Sequence, residues 1–236
     1  AMPWFRVPRG AGPHGPRDRA PSPFSSKKHD RSFKSPVVGR GETTRQRILD
    51  HAMAVASAEG FDGLTIGRLS ADLKLSKSGL FAHFGSKEAL QEALLELTAD
   101  RFVDAVIRPA ITANPRGLPR LRAAFENWLE WGRAPDLPGG CLLIAAGFEF
   151  DDRPGLVRDL LVRYQRDLLA TLARSVRLAA AEGHLAPDTD PDQAAFEIYG
   201  LILSFHHAYR LLQDAEADRR VRAAFERLLR SYGAAD

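Results

Sequence analysis

A short stretch of the chain, residues 74–87, carries side chains that could bind nucleic acid. It contains three lysines and no carboxylate, which suits a surface that faces phosphates. Leu80 and Phe84 stand four residues apart, on the apolar side of a short helix. The same spacing turns Ser78 and Phe81 outward, where a hydroxyl can donate to a base edge and a phenyl ring can pack against a thymine methyl group. These residues predict a helix surface that faces DNA.

Helical signals on either side place this surface within a small unit. Thr65 and Ser76 are hydroxyl N-cap candidates for two short helices, which a turn of about four residues separates. Gly85 ends the second helix, and Ser86 caps a longer third one. Such a pair forms a helix-turn-helix, whose second helix can enter the major groove of DNA. The alternative is a three-helix packing unit that binds nothing.

The segment over residues 47–90 follows a known pattern in register. The matching residues are Arg47-Ile48-Leu49, Ala52, Gly60-Phe61, Leu64-Thr65-Ile66, Leu69, Leu75-Ser76-Lys77, Leu80-Phe81, His83-Phe84, Ser86-Lys87-Glu88 and Leu90. This segment resembles the DNA-binding domain of the TetR family of transcriptional regulators. The resemblance implies that the following side chains lie at the DNA surface: Thr65, Lys77, Ser78, Phe81, His83 and Lys87.

Two positions depart from the family pattern. Lys74 stands where the turn usually has a glycine, so a left-handed backbone there would carry the steric cost of a Cβ atom. Phe81 replaces the usual tyrosine and lacks the hydroxyl that could bond to a phosphate. We expect these departures to affect the turn geometry and one DNA contact, but not the fold.

The helix before this pair also has an interpretable start. Thr43 and Gln46 have the spacing of a capping box, so we expect the first helix to open at Thr43 and to end at Gly60. Its N-terminus could meet a phosphate through backbone amides, or it could be a plain solvated helix start. The predicted DNA-binding residues are therefore Thr43, Thr44, Thr65, Ser76, Lys77, Ser78, Phe81, His83 and Lys87.

Charge is distributed unevenly along the chain. Residues 1–40 contain nine Lys or Arg and two Asp, a net charge of +7, whereas the whole chain carries +3. This segment is rich in Pro, Gly, Arg and Ser and is predicted to be a disordered basic tail. It could strengthen DNA binding without sequence preference, or it could be a spacer or sequence upstream of the true start. The predicted division is a tail over 1–40, a helix-turn-helix domain over 41–90, and a ligand-binding and dimerisation domain over 91–236.

Composition indicates an ordinary globular protein, with 44% apolar and 27% charged residues. No apolar run approaches the ~20 residues that span a bilayer, and no apolar signal-peptide region follows the first basic residues. The single cysteine, Cys141, excludes an intrachain disulfide framework and fits a reducing cytosol. We therefore expect a cytoplasmic protein with no membrane partner.

Apolar periodicity predicts an all-α fold of about nine helices, without strands. We expect a fourth helix over residues 86–107 that stops before Pro109. Asp152 is expected to begin a long helix over residues 152–182. A later helix, over residues 190–212, is apolar nearly all round, which is typical of a helix that a partner subunit covers on one side.

In the TetR family the two C-terminal helices of each subunit form a four-helix dimer interface, and a small-molecule pocket lies among the middle helices. The resemblance implies the same arrangement here. Each candidate pocket residue could equally be ordinary core, and their aromatic character favours an apolar or aromatic effector: Phe125, Trp128, Trp131, Cys141, Phe148, Tyr164, Phe205 and His206. The candidate dimer-interface residues are Phe196, Tyr199, Ile202, Phe205, Tyr209, Phe225 and Leu228.

No pattern in the chain predicts catalysis or a metal centre. His206 and His207 are adjacent, so they cannot chelate one metal as an i, i+4 pair could. We interpret Asp152 as a cap, and Glu149 and Asp151 as solvated loop. There is no nucleophile–base pair, phosphate-cradling glycine loop or pair of catalytic carboxylates. We therefore expect no enzyme activity and no cofactor.

The function predicted from the sequence is a homodimeric regulator that binds a pseudo-palindromic operator in double-stranded DNA, most simply a repressor that a small effector releases. One rival is a regulator that binds no ligand, which a packed interior without pockets would favour. The other is an α-helical enzyme or carrier with an N-terminal helix-turn-helix, which a convergent polar cluster in the pocket would favour.

Overall fold

The computed structural model describes residues 40–235, with side chains described from Thr43 onward. Over that range the chain forms nine helices and no strand, which confirms the prediction of an all-α fold. The predicted disordered tail lies outside the described residues, except that Arg40 is already helical. None of the helices in this range is long and apolar enough to cross a membrane.

Helices α1 to α3 are Arg40–Glu59, Ile66–Leu73 and Lys77–Phe84. Helix α4 comprises Lys87–Phe102, a π-helical turn Val103–Ile107 and Arg108–Ala113. Helices α5, α6 and α7 are Leu118–Trp131, Leu142–Glu149 and Leu156–Ala181. Helix α8 comprises Pro191–His206 and a second π-helical turn, His207–Leu211, and α9 is Ala217–Ser231.

The predicted helix caps in the N-terminal unit are confirmed. Thr65 accepts a hydrogen bond from the N–H of Arg68 at 3.1 Å, and Ser76 accepts one from Gly79 at 3.0 Å. Ser86 caps α4 in the same way, and each cap satisfies a backbone donor that has no partner within its own helix. The turn between α2 and α3 contains a left-handed residue at Lys74, with φ of 55°. Lys74 therefore adopts the left-handed backbone conformation that a glycine would adopt at lower steric cost.

The beginning of α1 differs from the prediction. The helix already includes Arg40, so Thr43 lies inside α1 and is not its N-cap. The capping-box spacing of Thr43 and Gln46 was therefore misleading, because spacing alone does not show where the preceding residues leave the helical conformation. At the other end, Gly60 has φ of 76° and terminates the helix, as predicted.

Helix α4 runs through Pro109, so the prediction of a break before this residue was wrong. Its π-helical turn lies just ahead of the proline, and the N–H of Arg108 bonds to the carbonyl of Val103, five residues back. Asn127 of α5 donates a side-chain hydrogen bond to the carbonyl of Val106 at 3.0 Å. A helical proline removes one ladder hydrogen bond and crowds the preceding turn. The wider turn lies directly ahead of the proline ring, and the Asn127 amide pairs one carbonyl of that turn.

The long helix α7 begins later than predicted. Its first residue is Leu156, which follows Gly155 with φ of 142° and has no side-chain cap, so Asp152 is not an N-cap. Asp152 is instead an exposed turn residue. The predicted start of α8 is confirmed, because Asp190 accepts hydrogen bonds from the N–H groups of Asp192 and Gln193 at 3.0 and 3.2 Å.

One continuous apolar core joins the N-terminal and C-terminal parts. The first three helices bury Ile48, Leu69 and Leu80 completely, and α4 carries the core onward through Leu94. Helix α7 packs along α8, α4 and α5, and α9 packs against α8. The side chains of α7 that face the core include Leu160, Leu161, Tyr164, Leu168, Leu172 and Val176, all of them buried.

Candidate nucleic-acid interface and effector core

Helix α3 presents one apolar face inward and another face to solvent. Leu80 is fully buried, and Phe84 is half-buried against the core. The opposite side exposes Lys77, Ser78 and Phe81, whose ring is 53% exposed. A phenyl ring left this open gains little from the protein core, so it remains available to an apolar group outside the chain.

The two cap hydroxyls at this surface already have a structural task. Ser76 accepts from the N–H of Gly79, and its oxygen lies 3.3 Å from that of Ser78. Thr65 likewise caps α2 but remains exposed. His83 is half-buried, with its ring centroid 6.4 Å from that of Phe84. The structure therefore places these predicted residues on the same small unit, with Ser76 and Thr65 committed to fixing the helix starts.

Positive charge at the α3 surface is not balanced by nearby carboxylates. Among the side chains from Thr43 to Ala235, the exposed residues Lys74, Lys77 and Lys87 form no ion pair. Thr43 is exposed and Thr44 is half-buried on the first turns of α1, and each has further interactions within the protein. The three lysine ammonium groups remain open to phosphates.

Two acidic groups of the same unit are paired with side chains of α1 and α2, away from these lysines. Arg68 forms a two-nitrogen ion pair with Glu59, and this hydrogen bonding lowers the pKa of Glu59. The Nε2 atom of His51 lies 2.9 Å from Asp72, and that hydrogen bond lowers the pKa of Asp72. Both carboxylates are therefore held ionised by partners other than the α3 lysines.

A carboxylate from the C-terminal part fixes the end of α1, which sequence reasoning missed. Glu149 was predicted to be solvated loop, but its side chain is only 16% exposed. It accepts hydrogen bonds from the backbone N–H groups of Phe61 and Asp62 at 2.8 and 3.0 Å. Arg153 bridges the same place, since it lies 2.8 Å from the Asp62 carboxylate and 3.7 Å from that of Glu149. We call this group of four residues the α6 clamp. No local pattern could reveal it, because its partners lie almost ninety residues apart in the chain.

A second contact beside the α6 clamp leaves no room for a side chain. The N–H of Gly139 donates to the Ser57 hydroxyl at 3.2 Å. A Cβ atom on Gly139 would lie 1.4 Å from the backbone oxygen of Ser57. The DNA-binding unit is therefore seated on the α5–α6 connection by direct backbone contact, and motion of α6 must reach α1.

Most predicted pocket residues lie in one aromatic core, with two exceptions. The rings of Trp128 and Trp131 meet the ring of Phe102 edge-on, at centroid distances of 5.1 and 5.9 Å. Phe125 instead stacks on Phe225 of α9 at 3.8 Å, away from this group. Phe148 is 67% exposed on the outer side of α6, so its assignment to the interior was wrong. The helical phase of so short an apolar segment could not be fixed from its sequence.

The core contains two small voids. One, of about 10 Å³, is lined by Trp128, Cys141, Phe205 and His206, all predicted pocket residues, together with Ile144, Ile202 and Tyr209. The other, of about 20 Å³, is lined by the predicted residue Tyr164 and by Gln165, Phe102 and Val103. Each has room for about one water molecule, so neither holds a larger ligand without movement of its walls.

Buried polar groups cluster beside these voids. The Tyr199 hydroxyl donates to Gln165 Oε1 at 3.0 Å, and Gln165 Nε2 donates to the carbonyl of Leu143 at 3.0 Å. Burial raises the pKa of both Tyr199 and Tyr164 to about 12. Gln165 was missed by sequence reasoning, although a glutamine next to the buried Tyr164 was a signal. Among residues 43–235, no group of three or more His, Cys, Asp or Glu side chains is arranged to hold a metal ion.

The predicted interface residues fall into two sets. Ile202, Phe205 and Phe225 are buried in the core of their own subunit, so they are not available to a partner surface. Phe196 is 70% exposed, and the half-buried members of the list are Tyr199, Tyr209 and Leu228. The outer face of α8 and α9 contains grooves of about 510 and 440 Å³, lined by residues that were not predicted: Gly200, Leu201, Ser204, Ala208, Ala224 and Arg227.

Comparison with known proteins identifies both parts of the chain. Residues 48–94 match the family model described as bacterial regulatory proteins, tetR family, and residues 117–225 match the one described as Tetracyclin repressor-like, C-terminal domain. The HTH-type transcriptional regulator TcmR of Streptomyces glaucescens is 29% identical over 197 residues, which cover 80% of this chain and 82% of TcmR.

Solved structures share the fold at low sequence identity. A TetR transcriptional regulator from Chloroflexus aurantiacus superposes with a TM-score of 0.71 and 24% identity, covering 80% of this chain and 93% of that one. AibR, solved in complex with isovaleryl coenzyme A and operator DNA, gives a TM-score of 0.64 at 20% identity, covering 78% of this chain and 97% of AibR.

An N-terminal helix-turn-helix with an exposed basic face, followed by a helical C-terminal domain, defines a DNA-binding transcriptional regulator. Both matched models belong to one family of such regulators. The chain is a member of the TetR family.

Proposed function

We propose that this regulator is a homodimeric repressor that binds a pseudo-palindromic operator and is released by a small apolar or aromatic effector. In this proposal residues 41–90 bind DNA, and residues 91–236 form the dimer and take the effector. The observation that carries it is the solvent-facing side of α3, where Lys77, Ser78 and Phe81 lie exposed and the lysines have no carboxylate partner among the described side chains.

The chemistry of that surface supports contact with both bases and backbone. Lys77 and Lys87 supply charge for phosphates, and Ser78 supplies a donor for a base edge. Phe81 can pack against a thymine methyl group but cannot donate to a phosphate. The hydroxyls of Thr65 and Ser76 hold the helix starts, so their backbone amides, rather than their side chains, are the groups best placed for phosphates.

Dimerisation is supported by the outer face of α8 and α9. Phe196 is 70% exposed there, and Gly200, Leu201 and Ser204 follow it on the same helix face at spacings that suit close helix packing. Two copies joined through this face would present two recognition helices to one side of the DNA. A separation of about 34–36 Å, or somewhat more, would place both in successive major grooves.

Binding of an effector is supported by the clustering of aromatic and polar groups in the core and by a related case. AibR was solved with both isovaleryl coenzyme A and operator DNA, so a protein of this fold can bind a small molecule as well as DNA. Here the α6 clamp connects the core to the end of α1. A ligand that moves α6 would reorient the DNA-binding unit, provided that it binds the two conformations with different affinity.

A second candidate function is a regulator that binds no effector. It is favoured by the closed interior, whose voids measure about 20 and 10 Å³. Such a protein would act by constitutive DNA binding or through a protein partner. Binding of a small ligand in the core would exclude this candidate.

The test is a titration of the purified protein against DNA from upstream of its own gene, near physiological salt and with excess nonspecific competitor. We expect saturable binding by a dimer that survives the competitor. Lys77→Glu should weaken this binding at least about 30-fold, because each subunit loses a contact of roughly 1–3 kcal/mol.

A matched charge reversal separates the α3 surface from net charge. Arg174→Glu makes the same change on the exposed side of α7, far along the chain from α3, and should bind DNA as the wild type does. Both variants should remain dimeric by analytical ultracentrifugation. Equal DNA affinity of Lys77→Glu and wild type would show that the recognition face has been misplaced.

A further inference from the structure

Two buried tryptophans in the core have unused hydrogen-bond donors. Trp128 and Trp131 are 4% and 6% exposed, and neither indole N–H has a hydrogen-bond partner among the protein atoms described. They stand three residues apart on α5 and therefore share one helix face. A buried donor without an acceptor is unfavourable, and such groups are few in native proteins. Two of them side by side call for an acceptor that the chain itself does not supply.

Both indoles converge on Cys141. Burial raises the pKa of the Cys141 thiol, and four groups near the sulfur oppose that shift: the Ile144 backbone, the Trp131 indole, the Leu143 backbone and the Trp128 indole. Neither indole N–H meets the sulfur within hydrogen-bonding distance and angle. Trp128 and Cys141 also line the same void of about 10 Å³. The Trp128 donor is therefore on the residue that lines this void, and the Trp131 donor lies beside the same cysteine.

The surroundings define the kind of molecule that would fit. Apart from Cys141, the inner wall of the void is apolar, with Ile144, Ile202 and Phe205. No carboxylate lines this void or the neighbouring one, and His206 and Arg210 lie on the side of the first that is nearer to solvent. A site with donors, aromatic edges and one guanidinium, but no anion, suits neutral or anionic molecules and disfavours cations.

We propose that Trp128, Trp131 and Cys141 form the hydrogen-bonding end of an effector site for a planar aromatic molecule with a carbonyl-type acceptor oxygen, neutral or anionic. The proposal rests on the proposed function and specifies the chemical class of its effector. Indole N–H groups can only donate, so they select an acceptor. The ring of the ligand would lie against Phe102, whose edge contacts both indoles at present.

The closed void indicates which side chains must move for entry. Phe205 and Tyr209 stack with centroids 5.4 Å apart, and Arg133 lies over both rings at 5.4 and 5.7 Å. This stack covers the solvent side of the void. A ligand larger than one water molecule must displace it. Because Tyr209 belongs to the π-helical turn of α8, its displacement would also move residues on the outer face of that helix.

Cys141 acts here as a packing group rather than a nucleophile. Its side chain is 1% exposed, and burial disfavours the thiolate that alkylation or oxidation requires. The site therefore binds its ligand without a covalent step. Electrophiles that modify exposed thiols should leave this cysteine unchanged in the ligand-free protein.

The test compares matched probes of one shape by isothermal titration calorimetry. The three probes are 1-indanone, which has a carbonyl acceptor, indane, which lacks it, and 2-aminoindane, which is a cation at neutral pH. We expect 1-indanone to bind about tenfold more tightly than indane, because it alone satisfies the indole donors. The cation should bind more weakly than indane.

Tryptophan variants assign the preference to the two donors. Trp128→Phe with Trp131→Phe keeps aromatic rings and removes both N–H groups, so 1-indanone should lose its advantage and bind within about threefold of indane. The ratio of the two affinities is the readout, since any space that the smaller rings create is offered to both probes equally. Each single variant should lose part of the preference. Tyr232→Phe, which removes a hydroxyl from a residue that lines neither void, is the control and should keep the full ratio.

Three results would overturn the proposal: no binding of 1-indanone up to its solubility limit, equal affinity for 1-indanone and indane in the wild type, or a preference that survives in the double variant. Operator titration of the same samples keeps failure of this proposal distinct from failure of the proposed function. A protein that binds operator DNA but shows no acceptor preference refutes the effector class alone, whereas one that binds 1-indanone but no DNA refutes the repressor.

Discussion

Replacing Glu149 with alanine removes the carboxylate that holds the end of α1 against α6. In the structure its two oxygens accept from the N–H groups of Phe61 and Asp62 at 2.8 and 3.0 Å. Phe61 is fully buried, so its N–H would be left without a partner, whereas the exposed Asp62 can turn to water. The change should therefore loosen the seat of the DNA-binding unit without disturbing the core around it.

The size of the effect follows from these contacts. A hydrogen bond to a charged group contributes about 1.5–3 kcal/mol to stability. We assign this full contribution to the bond from buried Phe61 and about half of it to the bond from exposed Asp62. The ion pair with Arg153 is half-exposed and adds at most a few tenths, so we expect a loss of about 2–4 kcal/mol. Glu149→Gln keeps one acceptor oxygen and should lose about half as much.

Urea denaturation measures the free energy of unfolding, and amide hydrogen exchange reports on residues 60–64. Exchange at the Phe61 amide should speed up in Glu149→Ala while exchange in α7 stays unchanged. The matched control is Asp151→Ala, an exposed acid two residues away, which should lose less than about 0.5 kcal/mol.

A different pattern would refute the reasoning. If Glu149→Ala were as stable as Asp151→Ala, the two backbone hydrogen bonds would contribute nothing to stability. The α6 clamp would then not stabilise the junction between α1 and α6. If exchange accelerated equally in α7, the carboxylate would be supporting the whole core rather than the junction with α1.

Three further outcomes are expected. Gly139→Ala should destabilise the protein by more than about 3 kcal/mol, because its Cβ would meet the backbone oxygen of Ser57 at 1.4 Å. The control Gly147→Ala, in α6, should be neutral or stabilising, and thermal unfolding of the two variants checks this. Lys74→Gly should stabilise by about 0.5–1 kcal/mol, because it removes a Cβ from a residue with φ of 55°; equal denaturation midpoints would contradict this. Burial, and to a smaller extent nearby positive charge, lowers the pKa of His206 below 6.5. Its contribution to the free energy of unfolding is therefore constant above pH 6.5, and the protein becomes less stable as the pH drops below that value. His206→Asn should lose less stability than wild type between about pH 7 and pH 5, and parallel curves would count against this assignment.

The N-terminal unit could be predicted closely because its signals are local. A hydroxyl at a helix start and apolar residues four apart act over one or two turns, so Thr65, Ser76 and Leu80 have the roles that their neighbours dictate. The predicted start of α1 was wrong because it used the local spacing alone. Thr43 has the spacing of a cap, but it lies inside a helix that begins earlier. A local rule identifies a cap only where the preceding residue has left the helix.

The C-terminal part could be predicted only in helix number and order, because its details depend on contacts between distant segments. The π-helical turn ahead of Pro109 is contacted by Asn127 from another helix, and the burial of Glu149 depends on the end of α1. Ile202 and Phe205 of α8 are apolar, as an interface would require, but both side chains are buried in the core of their own subunit. Residue type alone does not distinguish the two faces of a helix that is apolar nearly all round.

The π-helical turn Val103–Ile107 has a consequence for how this chain should be aligned with its relatives. Such a turn arises when a helix accommodates one extra residue, and the flanking segments keep their phase across it. Removing a single residue between 103 and 107 would therefore restore an uninterrupted helix, whereas a deletion elsewhere in α4 would rotate everything after it by about 100°. A relative with a regular α4 should consequently align with a one-residue gap at this turn, and the residues beyond it should remain equivalent by position in space.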